Sequence, residues 1–197
     1  MEYASFFGLP LLTAPGDVMR PRPASEQLVA IAAERIGERP ARVADVGTGS
    51  GAIAVALAIA APSAEIWASD VNPAAVLLAR ANAHRVGVGD RVHVARGDLL
   101  APLPGELDLI VANLPYLPES DRHRYGDLGE EPDDAVFARG DGLDPYRRLL
   151  AEAREKLQPE GAVAIQLHRR VLVAERDELA TLQATLPQLV PSLQAVA

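Results

Sequence analysis

Residues 45–51, DVGTGSG, follow a short apolar run (ARVADV) and open an alanine-rich one (AIAVALAIAA) that stops before Pro62. A strand running through a glycine turn into a helix constrains the fold more than any other feature of the chain. Gly47 permits the tight turn, Gly49 lets a ligand approach the backbone, and Gly51 or Ala52 lets the helix pack near the strand. A glycine motif alone is a weak signal, but this one has the strand-turn-helix context that its mechanism requires.

The same alternation continues along the chain. Strands are expected at ARVADVG (41–47), AEIWASD (64–70), RVHVARGD (91–98), LDLIVAN (107–113) and AVAIQL (162–167). Helices are expected at EQLVAIAAERI with Ser25 as N-cap, at 52–61, at PAAVLLARANAHRV between Asn72 and Gly87, and at DPYRRLLAEAREKLQPEG (144–161). Strands alternating with helices predict an α/β fold, a parallel sheet covered on both faces, and the near-continuous apolar strands agree. At 197 residues the chain is read as one domain. Residues 1–40 form an N-terminal segment and helix, 41–170 the cofactor-binding core, and 171–197 a C-terminal helix and tail. Trp67, in mid-strand, is expected in the core.

The formal charge is −8, and the densest basic stretch, DRHRYGD (121–127), is flanked by acids and reads as a solvated loop. A phosphate-gripping protein would be basic, so a protein or small-molecule substrate is expected rather than nucleic acid. There is no cysteine, and the four histidines show no ligand spacing, so no metal site is expected. No apolar stretch is long enough to span a bilayer and the N-terminus lacks a signal-peptide pattern, so a cytoplasmic protein is expected.

In open parallel sheets, ligands bind beyond the carboxyl ends of the strands. Here those ends read DVGTGSG, SDVNP, RGD and NLPY. Asp70, closing the strand after the glycine turn, is placed to accept hydrogen bonds from both hydroxyls of a ribose. Asp98 is placed to meet an adenine amino group. A nucleoside cofactor follows, with NAD and S-adenosylmethionine both open at this point. The cofactor-binding candidates are Asp45, Gly47, Thr48, Gly49, Ser50, Gly51, Asp70, Asp98, Leu99 and Asn113.

DVGTGSG, SDVNPAAV and the strand end Asn113-Leu114-Pro115-Tyr116 resemble class I S-adenosylmethionine-dependent methyltransferases that act on planar amide or amine nitrogens. PGDVMRPRPASEQLV (15–29), NLPYLPESD (113–121) and EEPDDAVFARGDGLDPYRRLL (130–150) resemble the HemK family, the release-factor glutamine N5-methyltransferases. The likeness runs in order from about Phe7 to Gly161. It implies a Rossmann-like class I methyltransferase fold, S-adenosyl-L-methionine as cofactor, and a peptide chain release factor as protein partner. It also implies catalytic roles. The Asn113 side-chain oxygen and the Leu114 carbonyl would accept the two N–H bonds of the substrate amide. Pro115 would fix the turn, and Tyr116 would stack on the flat amide. Arg20 and Arg22 would shape the cofactor entrance or simply line the surface, and the role of Glu26 is open.

The chain departs from that pattern in three places. Leu114 stands where the family has proline, and NLPY is also the form in ribosomal RNA adenine N6-dimethyltransferases, the alternative enzyme reading. The sequence begins almost at the catalytic domain, whereas the family carries a helical domain before it. After AVAIQL, the closing antiparallel strand pair of the family is not expected; LVAERDELATLQATLPQLVPSLQAVA reads instead as an amphipathic helix and a proline-punctuated tail. These departures also admit a non-catalytic paralogue that binds the cofactor without turnover.

Overall fold

A computed structural model describes residues 2–124 and 131–194. In chain order its strands are β1 (Glu2–Phe6), β2 (Leu9–Thr13), β3 (Ala41–Val46), β4 (Ala64–Asp70), β5 (Val92–Arg96), β6 (Leu107–Ala112), β7 (Leu117–Pro118), β8 (Phe137–Ala138), β9 (Leu157–Leu167) and β10 (Arg170–Glu175). The helices are α1 (Glu26–Ile36), α2 (Ala52–Ala60), α3 (Pro73–Val86), α4 (Asp144–Lys156) and α5 (Leu179–Gln194). The second half of the basic stretch 121–127, and Glu130 at the head of the third matching segment, lie outside the described residues.

The main sheet has the order β10-β9-β6-β3-β4-β5. All its pairings are parallel except β9 with β10. Side chains alternate between its faces, as the pleat requires. Val43, Leu109 and Val111 join α1, α2 and α3 in one core, whereas Ala44, Ile110 and Ala112 join α4 and α5 in the other. Helix α2 is buried from Ala52 to Ala58, which explains its alanines: only small side chains fit a helix enclosed on all sides. Alternating strands and helices therefore produce the expected Rossmann-like sheet, with the carboxyl ends of β3, β4, β5 and β6 on one rim.

Four local expectations change. First, α4 stops at Lys156 and β9 begins at Leu157, because Pro159 biases the residue before it toward extended backbone. Second, an antiparallel strand pair closes the sheet after all. Arg170–Glu175 pairs with Ala162–Leu167 around a turn in which His168 adopts φ 56°. The β-branched Val171 and Val173 favour that strand, and the helix starts only at Leu179, passing through Pro187 and Pro191. Third, Trp67 is only half-buried and stacks on His93 of the neighbouring strand, with ring centroids 4.4 Å apart. Fourth, an N-terminal hairpin, unforeseen from the sequence, joins β1 and β2 through Phe7 and Gly8. Both have positive φ, as a two-residue hairpin turn requires.

That hairpin is tied to the site. Asn82, fully buried on α3, accepts from the Leu12 N–H at 2.7 Å and donates to the carbonyls of Leu12 and Ser50. One side chain thus joins β2 to the glycine turn.

Candidate functional site

The glycine turn is assembled from its own backbone. Gly47 and Thr48 both donate to the Ser69 carbonyl at the end of β4, and Gly51 donates back to Thr48. Gly47, Gly49 and Gly51 all have φ between 54° and 78°, a region costly for residues with a Cβ. At Gly51 a Cβ would lie 2.9 Å from the Ala79 backbone, so this glycine lets α2 approach α3 rather than a strand.

Asp45 is fully buried beneath the turn and does not face the cavity described below. Its Oδ2 accepts from Thr48 Oγ1 at 2.6 Å and from the Ala54 N–H at 3.1 Å. Its Oδ1 has no hydrogen-bond partner among the described residues. Burial pushes its carboxyl up to about 7, against the pull of those two donors.

Above the turn lies a cavity of about 260 Å³, open on one side. Gly47, Thr48, Gly49, Ser50, Asp70, Asp98, Leu99, Asn113, Leu114 and Pro115 line it; Asp45, Gly51 and Tyr116 do not. Asp70 accepts from the Gly49 N–H at 2.8 Å and the Asn72 N–H at 2.9 Å, one on each oxygen, which leaves further lone pairs on both. Burial raises its pKa despite those bonds, with Asp134 across the cavity adding to the shift. Asn72 caps α3 through Ala74, as expected. Asp98 forms an exposed ion pair with Arg148, another lining residue unforeseen from the sequence. Leu99 adopts φ 44° and its carbonyl accepts from the Ser69 hydroxyl.

Two further segments line the cavity, and a nearly buried carboxylate joins them. Glu131 accepts from the Arg20 N–H and from Arg22 Nη2, pinning residues 17–22 beside Pro132–Ala135. Arg20 and Arg22 both line the cavity. Glu26 accepts from the Phe7 N–H at 2.8 Å, so it anchors the hairpin turn to the start of α1.

The strand end Asn113–Tyr116 is held from both sides. Asn113 Nδ2 donates to Ser25 Oγ at 3.1 Å. Ser25 occupies the N-cap position of α1 but makes no capping bond. Its backbone is in the αR region, whereas a capping side chain needs extended backbone to reach back to the helix. The Leu114 N–H donates to the Tyr146 hydroxyl at 2.9 Å. That hydroxyl also lies 2.9 Å from the Leu114 carbonyl and 2.6 Å from the Gln166 carbonyl. Its single proton can serve only one of the two oxygens at a time. Tyr146 is completely buried, which raises its pKa. Tyr116 is half-buried, with its hydroxyl 3.5 Å from His168 Nδ1. The sequence marks Ser25 only as a helix N-cap and does not mark Tyr146, although both lie inside the segments that carry the family resemblance.

No group of three or more potential metal-ligating side chains occurs among the described residues, and no helix among them is long and apolar enough to cross a membrane. Comparison with known proteins fits this geometry. The chain is 44% identical over 162 residues to a release factor glutamine methyltransferase of Deinococcus radiodurans, covering 81% of this chain and 57% of that one. It is 40% identical over 168 residues to one of Moorella thermoacetica, covering 84% and 59%. It therefore spans little more than half the length of these relatives. Among solved structures, the ribosomal protein L11 methylase of Lactobacillus delbrueckii subsp. bulgaricus superposes with a TM-score of 0.55 at 25% identity, over 75% of this chain and 62% of that one. The family model described as "Methyltransferase small domain" matches residues 23–125, more than half of the sequence, and the chain belongs to that family.

Proposed function

We propose that this chain carries the catalytic site of an S-adenosylmethionine-dependent N-methyltransferase whose substrate is a glutamine side-chain amide in a peptide chain release factor. One observation carries the reading: Asn113 and Leu114 line the same cavity as the glycine turn and Asp70. A nucleoside cofactor and a planar amide can thus meet in one space. The similarity to release factor glutamine methyltransferases supports the choice of substrate.

The residues present fit the cofactor. Asp70 has lone pairs left for two ribose hydroxyls, and Gly47–Ser50 present polar backbone at close range. Asp98, which pairs with Arg148 in the cavity lining, would meet the adenine amino group. Bound there, S-adenosylmethionine supplies an electrophilic methyl group on its sulfonium sulfur. The chain's own residues address the harder problem, which is the poor nucleophilicity of an amide nitrogen. Asn113 Oδ1 and the Leu114 carbonyl accept the two N–H bonds and fix the direction of the nitrogen. As those hydrogens become acidic during transfer, both acceptors bind them more strongly, so stabilisation is greater in the transition state than in the ground state. Alignment of this kind contributes up to about 7–11 kcal/mol in ideal cases. The Leu114 carbonyl has two lone pairs, and it becomes the stronger acceptor for a substrate N–H when the Tyr146 hydroxyl turns its proton to Gln166. The carbonyl 2.6 Å away makes that alternative available without exposing a buried donor.

The test is transfer of labelled methyl from S-adenosylmethionine to a purified release factor and to a Gly-Gly-Gln peptide. Label on the glutamine amide is expected. Label in RNA instead would replace this reading with adenine methylation. Cofactor binding with no labelled product would favour a non-catalytic paralogue.

A further inference from the structure

We propose that Ser25 is a positioning residue that sets the orientation of the Asn113 carboxamide; the proposal rests on the role given above to Asn113. A serine at a helix N-cap position ordinarily spends its oxygen on the helix. Ser25 does not: the Pro23–Ser25 turn holds it in helical backbone, and its hydroxyl instead contacts a residue 88 positions away in sequence. Both side chains line the cavity, and Ser25 is only 3% exposed, so bulk water is a poor substitute for the contact.

The chemistry of a carboxamide makes this contact consequential. Its two ends are similar in size and opposite in polarity, and packing alone does not distinguish them. A serine hydroxyl can accept or donate, and here it accepts from Nδ2, the arrangement that leaves Oδ1 to accept a substrate N–H. An amide turned the other way would present donors to a donor.

The segment around Ser25 is itself fixed at three points. Arg22 bonds to Glu131, the Ser25 N–H donates to the Arg22 carbonyl, and Glu26 accepts from Phe7. The hydroxyl is therefore presented from an anchored backbone rather than from a free loop.

The experiment compares the full chain with Ser25→Ala and Ser25→Thr by two readouts. The first is the side-chain amide signal of Asn113 in a nitrogen–proton NMR spectrum, assigned by its loss in Asn113→Asp. Ser25→Ala is expected to move the hydrogen-bonded proton upfield and speed its exchange with water; Ser25→Thr, which keeps the hydroxyl, restores both. An unchanged Asn113 signal in Ser25→Ala overturns the proposal. The second is methyl transfer to a release factor. Ser25→Ala is expected to lower kcat by about 10- to 100-fold with KM within about threefold, and Ser25→Thr to recover most of it. A kcat within twofold of the parent overturns the proposal as well. If the parent methylates no release factor, the functional reading fails by itself, and the NMR comparison still decides the role of Ser25.

Discussion

A Cβ on Gly142 would stand 2.2 Å from the carbonyl oxygen of Tyr116. That relationship explains why the segment GDGLD accompanies the segment NLPY in this chain. The backbone after the proposed amide acceptors Asn113 and Leu114 passes so close to residue 142 that only glycine fits, and φ 86° at Gly142 selects glycine independently.

Gly142→Ala is therefore expected to displace the Tyr116 backbone, because neither partner in the clash is the end of a flexible side chain. Methyl transfer should fall by at least about tenfold. Gly8→Ala is the control. Its φ is 74° and nothing lies within 4 Å of the added Cβ. It should cost only the backbone penalty, about 1 kcal/mol, and leave transfer within about twofold. Urea unfolding and steady-state kinetics on the two variants separate the clash from the dihedral cost.

Asp45 makes stability depend on pH. Its folded pKa, about 7, lies above the ordinary value of 3.8 because burial disfavours the charge. The folded state thus holds the proton more tightly than the unfolded state, and stability is fully present below about pH 4 and lost as pH rises through 7. Between pH 5 and 8, urea unfolding should show a loss of up to roughly 2–3 kcal/mol. Asp45→Asn keeps an acceptor for Thr48 and Ala54 without the titration, and should flatten the curve in that window.

Asn82→Ala should leave the Leu12 N–H and two carbonyls without their buried partner. A loss of about 2–4 kcal/mol is expected, measured by the same unfolding method. The hairpin β1–β2 should also become protease-sensitive, because that side chain joins it to α3 and the glycine turn.

Asp70→Ala should weaken binding of S-adenosylhomocysteine by at least about tenfold, near 1.4 kcal/mol, in isothermal titration. The variant also removes the acceptor for Gly49 and Asn72, so Asp70→Asn, which retains one oxygen, should fall between it and the parent. Equal affinity in all three would take Asp70 out of the cofactor site.

The sheet and the rim formed by its strand ends are legible because they depend on local, periodic signals: apolar strands, capped helices and glycines at a turn. Asn72 and Gly87 bound α3 as their chemistry dictates. What escaped was set by distant partners. The closing strand Arg170–Glu175 exists because β9 offers an edge, whereas the stretch from Leu172 onward reads by itself as an amphipathic helix. Ser25 looked like a cap because the rule considers only its neighbours, whereas the structure ties it to Asn113. Asp45 seemed to be a ligand contact, but its side chain points beneath the turn and builds it. Tyr146 carries no local signal of its role, and only the fold places its hydroxyl against the peptide of Leu114.

The most direct measurement of the central claim compares Asn113→Ala with the parent for methyl transfer to a release factor and for S-adenosylhomocysteine affinity. The account predicts a kcat lower by about two orders of magnitude or more with affinity nearly intact, because that side chain addresses the amide rather than the nucleoside. Turnover equal to that of the parent would contradict it.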